Sequence, residues 1–383
     1  MVPNLRFSSF ADPFRIYTLK EVLQRISFPV TVDENKLYYQ IGIRSHSKGI
    51  FYKEAEIGKQ IGNKRIFWIE PNCLILNIVF AWEQAVAKTS EKEVGMVASH
   101  RFPMYKVLNN SLDYIVDFFK TEKGKQLLQM ASPGGAGRNK TLNQDFFLNS
   151  KIYLPSLNEQ LKTTELIELI EDRIETQIKI IEEYVILKNS LIHRFFTMDN
   201  PKVKLSTILT EINIKNKNKQ IDTVLSVSNK LGFIKQSEQF EDREVASDDT
   251  SNYKIVNKGD YAYNPARINV GSIARLINYD KGIISPMYSC FKINEKKITY
   301  TYFDMFLSSF SFKRQLNKKL EGSVRQCLTF EGMLSMDIEL PCIETQKSIS
   351  NKIDMLNYKI KLESDYREAL IKQKQFLLNN MFI

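Results

Sequence analysis

Histidine is nearly absent from this 383-residue chain: it occurs only as His46, His100 and His193, none with a second histidine at metal-ligand spacing. Catalysis by histidine would rest on one isolated ring. Cysteine is equally sparse. Cys73, Cys290, Cys327 and Cys342 show no C-x-x-C spacing, which argues against a zinc site and a disulfide scaffold and leaves reduced, partly buried thiols. Fifteen glycines and 11 prolines are too few for a collagen-like or linker-dominated chain. The longest apolar run, Cys73 to Trp82, is about ten residues and is interrupted by Asn77, whereas a membrane span needs about 20. Met1-Val2-Pro3-Asn4-Leu5-Arg6 lacks the apolar core of a signal peptide. The expectation is a cytoplasmic protein with no membrane partner.

What is present is ordinary for a globular chain: 43% hydrophobic and 26% charged residues, at a length that suggests two or three domains. The net charge of +10 favours an anionic partner. The chain also repeats itself. Leu154-Pro155-Ser156-Leu157-Asn158-Glu159-Gln160 opens a long polar-apolar segment, and Leu340-Pro341-Cys342-Ile343-Glu344-Thr345-Gln346 opens another, at an offset of about 186 residues. The offset pairs Gln160 with Gln346, Ile167 with Ile353, Ile174 with Ile360, Leu191 with Leu377 and Phe196 with Phe382. Upstream, one-residue slips relate Asn77 to Asn264, Gly135 to Gly322 and Arg138 to Arg325. The order is domain, helix, domain, helix, with boundaries at 1–153, 154–197, 202–339 and 340–383.

Both helical segments carry apolar residues on a rhythm of threes and fours and their sums: Ile167, Ile170, Ile174, Ile181, Tyr184, Leu191 and Phe195 in the first, Ile353, Leu356, Ile360, Leu370, Leu377 and Met381 in the second. That is the spacing of a coiled-coil seam. A long amphipathic helix leaves its stripe exposed if it stands alone. Two copies can cover each other, and a globular unit between them favours antiparallel pairing. Lys188 and Lys374 fall on seam positions, either to fix register or to snorkel at a frayed end. Residues 154–196 hold five basic and eight acidic side chains, and residues 340–383 hold seven and five. The excess positive charge therefore sits on the globular parts. Those read as α/β, mixed α+β, from strand-like runs at Ile66 to Ile69, Cys73 to Leu76 and Tyr261 to Tyr263. Helices are expected over 111–129 and 299–320.

Catalytic motifs fail one after another. Gly134 to Thr141 lacks the glycine that a phosphate loop needs before its lysine, because Asn139 stands there. Tyr263-Asn264-Pro265-Ala266-Arg267 lacks the second proline and the aromatic of an amino-methyltransferase motif. Glu34-Asn35-Lys36 and Glu295-Lys296-Lys297 have no Pro-Asp partner for metal-dependent cleavage. No cofactor, no metal and no catalytic residue is expected. The segment Asn264 to Arg275 mixes Asn, Arg and Ser with small residues, which suits close approach to DNA and equally suits an ordinary turn. Gly322-Ser323-Val324-Arg325-Gln326 reads as a basic loop reaching toward phosphate or base edges, or as a turn with a solvated arginine.

The doubled Leu-Pro-x-(Leu/Ile)-x-x-Gln opening, the long helix and the terminal Leu-(Ile/Leu)-x-x-(Phe/Met)-Phe resemble the specificity subunits of type I restriction-modification systems. So do Pro3-Asn4-Leu5-Arg6-Phe7, Asn264-Pro265-Ala266-Arg267 and Gly322-Ser323-Val324-Arg325-Gln326. The resemblance covers essentially the whole chain. It implies two tandem target recognition domains, each reading half of a split double-stranded DNA site. Two long antiparallel helices would separate them and dock two methyltransferase subunits. Endonuclease and translocase subunits would join through the prokaryotic complex, and cleavage, ATP use and methyl transfer would belong to those partners. The expected DNA contacts are Lys64, Arg65, Arg101, Arg138 and Lys140 in the first domain and Asn264, Arg267, Arg275, Arg325 and Gln326 in the second. The first domain departs from the pattern, since Asn77-Ile78-Val79-Phe80 stands where the second has Asn-Pro-Ala-Arg. Rival readings are the recognition module of a fused restriction-methylation system and a coiled-coil adaptor that binds no DNA.

Overall fold

The computed structural model describes residues 2–134, 140–197, 200–239, 249–321 and 326–383. Two long helices span Leu157–Phe195 and Ile343–Met381. Each starts two residues after a proline, which lacks the N–H that a helix interior requires and so marks a start. Packing divides the chain into two compact units: Met1–Ile178 with Ser364–Ile383, and Lys179–Glu363. Each unit thus holds one globular part and half of each long helix. The helices run antiparallel in both. In the first unit Lys374 Nζ lies 2.5 Å from Glu171 and Arg173 donates to the Tyr366 hydroxyl at 2.8 Å. In the second, Lys188 Nζ donates to Asn357 at 3.3 Å, and Lys359 lies 6.0 Å from the Tyr184 ring.

The seam is driest where it meets the globular parts. Ile167, Ile170, Leu377, Leu378, Met381 and Phe382 join one core with Leu19, Tyr114, Phe119 and Phe147. Ile192, Phe195, Phe196, Ile349 and Ile353 join another with Leu205, Tyr302, Phe303 and Phe306. The terminal aromatics are the anchors: Phe382 packs 4.5 Å from Tyr114, and Phe196 packs 5.1 Å from Tyr302. Leu370 is buried as well, while Ile174, Ile181, Leu191 and Ile360 are half-buried.

Each globular part carries the same four-stranded antiparallel sheet and the same two-stranded pair. A four-stranded antiparallel sheet runs 23–26, 104–107, 74–76, 86–88 in the first copy and 209–212, 289–293, 261–263, 273–275 in the second. A two-stranded pair, 15–18 with 151–154 or 202–204 with 337–339, leads into the long helix. Farther from the helices, strands 232–235, 224–228, 281–284 and 254–257 form a mixed sheet with one parallel pair. The first copy holds the same neighbours as two antiparallel pairs, 41–43 with 50–52 and 66–68 with 97–99, linked by one parallel bridge from Gln40 to Val97.

The helices expected over 111–129 and 299–320 are each broken in two, at Thr121 and at Ser309. The pieces are Leu112–Lys120 with Glu122–Met130, and Tyr300–Ser308 with Phe310–Lys319. The break is a cap. The Thr121 and Ser309 hydroxyls accept from Gly124 N and Phe312 N, satisfying donors that a new helix would otherwise orphan.

The glutamine of the Leu-Pro opening fastens each globular part to its long helix. Gln346 Nε2 donates back to Pro341 O and to Lys297 O, both at 2.9 Å, while its oxygen accepts from Thr299 N at 2.9 Å. Gln160 repeats this with Pro155 O, the Asn110 side chain and Ser111 N. Both amides are almost completely buried. Gln346→Leu strands three polar groups, each costing about 1–3 kcal/mol when left unpaired. Its melting temperature should fall clearly below that of the wild type, and an unchanged melt would show these bonds to be dispensable.

Candidate nucleic-acid interface

Asn77 and Asn264 sit at the end of a strand and begin the same turn. Asn264 Oδ1 accepts from Ala266 N, Asn264 O accepts from Arg267 N, and Asn264 N donates to Ser272 O. Asn77 makes the same three bonds with Val79 N, Phe80 N and Ala85 O. A short 3-10 turn follows, at Ile268–Val270 and Ala81–Glu83, ending in a left-handed residue: Gly271 at φ 92° and Gln84 at φ 59°. The asparagine side chain replaces a backbone acceptor, which is why asparagine starts such turns. By this register Phe80 occupies the place of Arg267. Both are exposed.

Backbone hydrogen bonds gather the first copy's basic residues around its turn. Arg101 O accepts from Ile78 N, Ile78 O accepts from Leu142 N, and Arg65 O accepts from His100 N. Lys64, Arg65 and Arg101 are exposed, and Lys140 Nζ lies 5.0 Å from the Trp82 ring on the same turn. Arg25, Arg65, His100 and Gln144 line one cleft with Ile78. Phe80, Trp82, Arg25 and Gln144 were not singled out in the sequence. For Phe80 and Trp82 the available signal was the aligned asparagine, Asn77.

In the second copy, Leu328 N donates to Pro265 O at 3.0 Å and Tyr263 Oη donates to Leu328 O at 3.3 Å. Glu321 and Cys327 exchange two backbone bonds. These bonds place exposed Gln326 beside the turn that bears Asn264 and Arg267. Arg138 and Arg325 lie outside the described residues. Arg267 is exposed and forms no side-chain hydrogen bond or ion pair among the described residues. The oxygen of the Asn264 side chain is committed to the turn.

Arg275 is differently employed. Its Nη2 lies 2.9 Å from Asp304, and its guanidinium packs 4.8 Å from the Tyr300 ring. Tyr261 Oη donates to the same carboxylate at 2.6 Å. Burial raises the Asp304 carboxyl above its ordinary range despite these two partners. Burial and Asp304 also push the Tyr261 hydroxyl up. The network ties strand 273–275 to helix Tyr300–Ser308 and neutralises the Arg275 charge inside the unit.

Nucleophilic chemistry finds little support in this part of the molecule. Cys290 is buried, and burial pushes its thiol up to about 12. Among the described residues, no group of three or more His, Cys, Asp or Glu is arranged to hold a metal ion. None of their helices is long and apolar enough to cross a membrane.

No protein-family model matches the sequence, and no curated protein matches it significantly. Solved structures do. The HsdS subunit from Thermoanaerobacter tengcongensis aligns over 97% of this chain and 96% of its own, with a TM-score of 0.52 and 15% identity. A structure described as the basis of complex assembly and conformational transition of the type I R-M system covers 96% and 97%, with a TM-score of 0.65 and 14% identity. The type I restriction-modification S subunit from M. genitalium covers 100% and 99%, with a TM-score of 0.54 and 12% identity. Across its whole length, therefore, the chain has the fold of type I restriction-modification specificity subunits.

Proposed function

We propose that this chain is the sequence-specific DNA-binding subunit of a type I restriction-modification complex, reading a bipartite double-stranded target and bringing methyltransferase and endonuclease subunits to it. The observation that carries the reading is the repeated asparagine turn, built twice with the same hydrogen bonds, set among basic side chains in the first copy and bearing the exposed Arg267 in the second. A duplicated reader suits a two-part target. The chain contributes recognition, and the chemistry belongs to its partners in the cytoplasm of a prokaryotic cell. Exposed apolar side chains on the long helices supply docking surface for the methyltransferase subunits: Leu169 and Phe376 in the first unit, Ile186, Met355 and Tyr358 in the second.

Direct contacts are assigned to Arg65, Arg101 and Lys140 in the first copy, with Lys64 beside them; Arg138, outside the described residues, stays a candidate from the sequence alone. In the second they are assigned to Arg267 and Gln326, with Arg325. Asn264 shapes the turn, and Arg275 supports the strand next to it. An arginine that grips guanine contributes about 1–3 kcal/mol of discrimination, whereas a phosphate contact weakens all sequences alike. Arg267→Ala should relax preference at one position of one half-site. The test is selection by the assembled complex from a duplex library randomised in both halves. Altered preference in both halves, or unchanged preference and affinity, would overturn the assignment. Exchanging residues 202–339 for another recognition domain should change one half of the selected target and keep the other.

A further inference from the structure

A second basic surface lies in the second unit, away from the asparagine turn. A cleft of about 600 Å³ opens between the end of the first long helix, the strand pair 202–204 with 337–339, and helix Phe310–Lys319. That helix carries Lys313, Arg314, Lys318 and Lys319 and no acidic residue. Gln315 pins it, donating to Asp337 O and accepting from Asp337 N, both at 2.8 Å. The two carboxylates of the cleft are matched within it: Lys204 Nζ lies 2.9 Å from Asp337, and Lys202 Nζ lies 3.7 Å from Glu339. His193 is packed edge-on against Phe310 at 6.0 Å. Arg314, Lys318 and Lys319 are exposed and have no acidic partner among the described residues. Three uncompensated cations therefore line a surface whose own acids are already paired.

The duplication supplies an internal comparison. Aligned on their caps, Thr121 and Ser309, the two helices place Gln126 opposite Arg314 and Met130 opposite Lys318. Aligned on their pairing, the two strands place Ile16 opposite Lys202 and Thr18 opposite Lys204. Lys125 stands opposite Lys313, but the first copy keeps the fold with no cation opposite Arg314, Lys318, Lys319, Lys202 or Lys204, so the fold does not require these five.

We propose that this cleft is a phosphate-backbone site, and that the second unit holds DNA here in addition to reading it at the turn. The inference rests on the reading of the chain as a DNA-binding subunit. Nucleic acid is favoured over an acidic protein segment because of where the helix leads. Lys318 and Lys319 end it two residues before Glu321, which pairs with Cys327, whose neighbour Leu328 bonds to Pro265 of the turn. The basic end of the helix is thus joined through backbone bonds to the segment that packs on the recognition turn. Phosphate contacts fix register and affinity without carrying sequence information.

The test is Arg314→Ala/Lys318→Ala/Lys319→Ala in the complex assembled with its methyltransferase subunits, titrated with a fluorescent duplex of mixed sequence at several salt concentrations. Each lost phosphate contact reduces the slope of log affinity against log salt by about 0.9. The triple variant should lose roughly two to three units of slope and keep the half-site preferences of the wild type in library selection. An unchanged slope overturns the proposal. Failure to assemble with the methyltransferase subunits, at an unchanged slope, overturns it by showing a protein-docking face. If the wild-type complex itself binds duplex without salt dependence, the functional reading falls, and this inference with it.

Discussion

Ile353→Asp is expected to prevent the second unit from folding. Ile353 is 3% exposed and lies in the core that joins the second long helix to Leu205, Tyr302 and Phe306. The substitution removes an apolar side chain and places an unpaired carboxylate among aromatic rings. A buried, uncompensated charge costs several kcal/mol, against a total domain stability of about 5–15 kcal/mol. Ile167→Asp should act alike in the first unit, where Ile167 is 1% exposed. The same change at Ile174 or Ile360 should cost less, because both are half-buried and the carboxylate can reach water. Denaturation of all four variants checks the order. A wild-type melting temperature for Ile353→Asp would show that the helix is not held through this position.

Lys120→Met carries the second large effect, through charge. Lys120 Nζ bonds Asp117 at 2.7 Å and lies 3.5 Å from Glu171, which lies 2.5 Å from Lys374. Asp117 is buried, and burial raises its carboxyl even beside Lys120. Burial also opposes ionisation of Glu171, but Lys120 and Lys374 outweigh it and hold that group below the ordinary carboxylate range. Methionine fills the space of the lysine stem and leaves Asp117 without its cation. Breaking a buried pair in this way costs about 3–5 kcal/mol, and the partial exposure of Lys120 favours the lower end.

The pH dependence follows from the signs. With its folded pKa raised, Asp117 takes up a proton as pH falls, and the neutral acid needs no partner. The deficit of Lys120→Met should therefore shrink as pH falls from neutral toward the ordinary carboxylate range. Glu171, with a depressed folded pKa, adds stability above the ordinary carboxylate range and loses it as pH falls through the depressed value. Melts of wild type and variant at neutral pH and in the ordinary carboxylate range test this. An equal deficit at the two would mean that Asp117 does not govern the loss.

The duplication and the helices are legible in the chain because they rest on local physics. A three- and four-residue apolar rhythm without glycine or proline specifies a helix wherever it occurs. The proline two residues before Leu157 or Ile343 specifies where it starts. Repetition at an offset near 186 then implies two similar units, and the excess of positive charge outside the helices points to their globular parts. The breaks at Thr121 and Ser309 escaped that reading, because threonine and serine are tolerated inside helices as well as at caps, and only the packing of the second piece selects the cap.

Strand order was likewise beyond reach. The strands 104–107 and 289–293 bond neighbours that lie far from them in sequence, and no local pattern records which pairs form. The basic residues show the same limit. Sequence treats Arg267 and Arg275 as equivalent, eight positions apart on one basic segment. The fold separates them, since Arg275 meets Asp304 and Tyr300 from a distant helix while Arg267 is exposed and has no side-chain hydrogen bond or ion pair among the described residues. The register that sets Phe80 opposite Arg267 was legible in the sequence, and the hydrogen bonds common to the two copies bear it out. Periodicity and composition determined the elements and their number; which cation is neutralised inside the fold and which is left exposed was decided by long-range contacts alone.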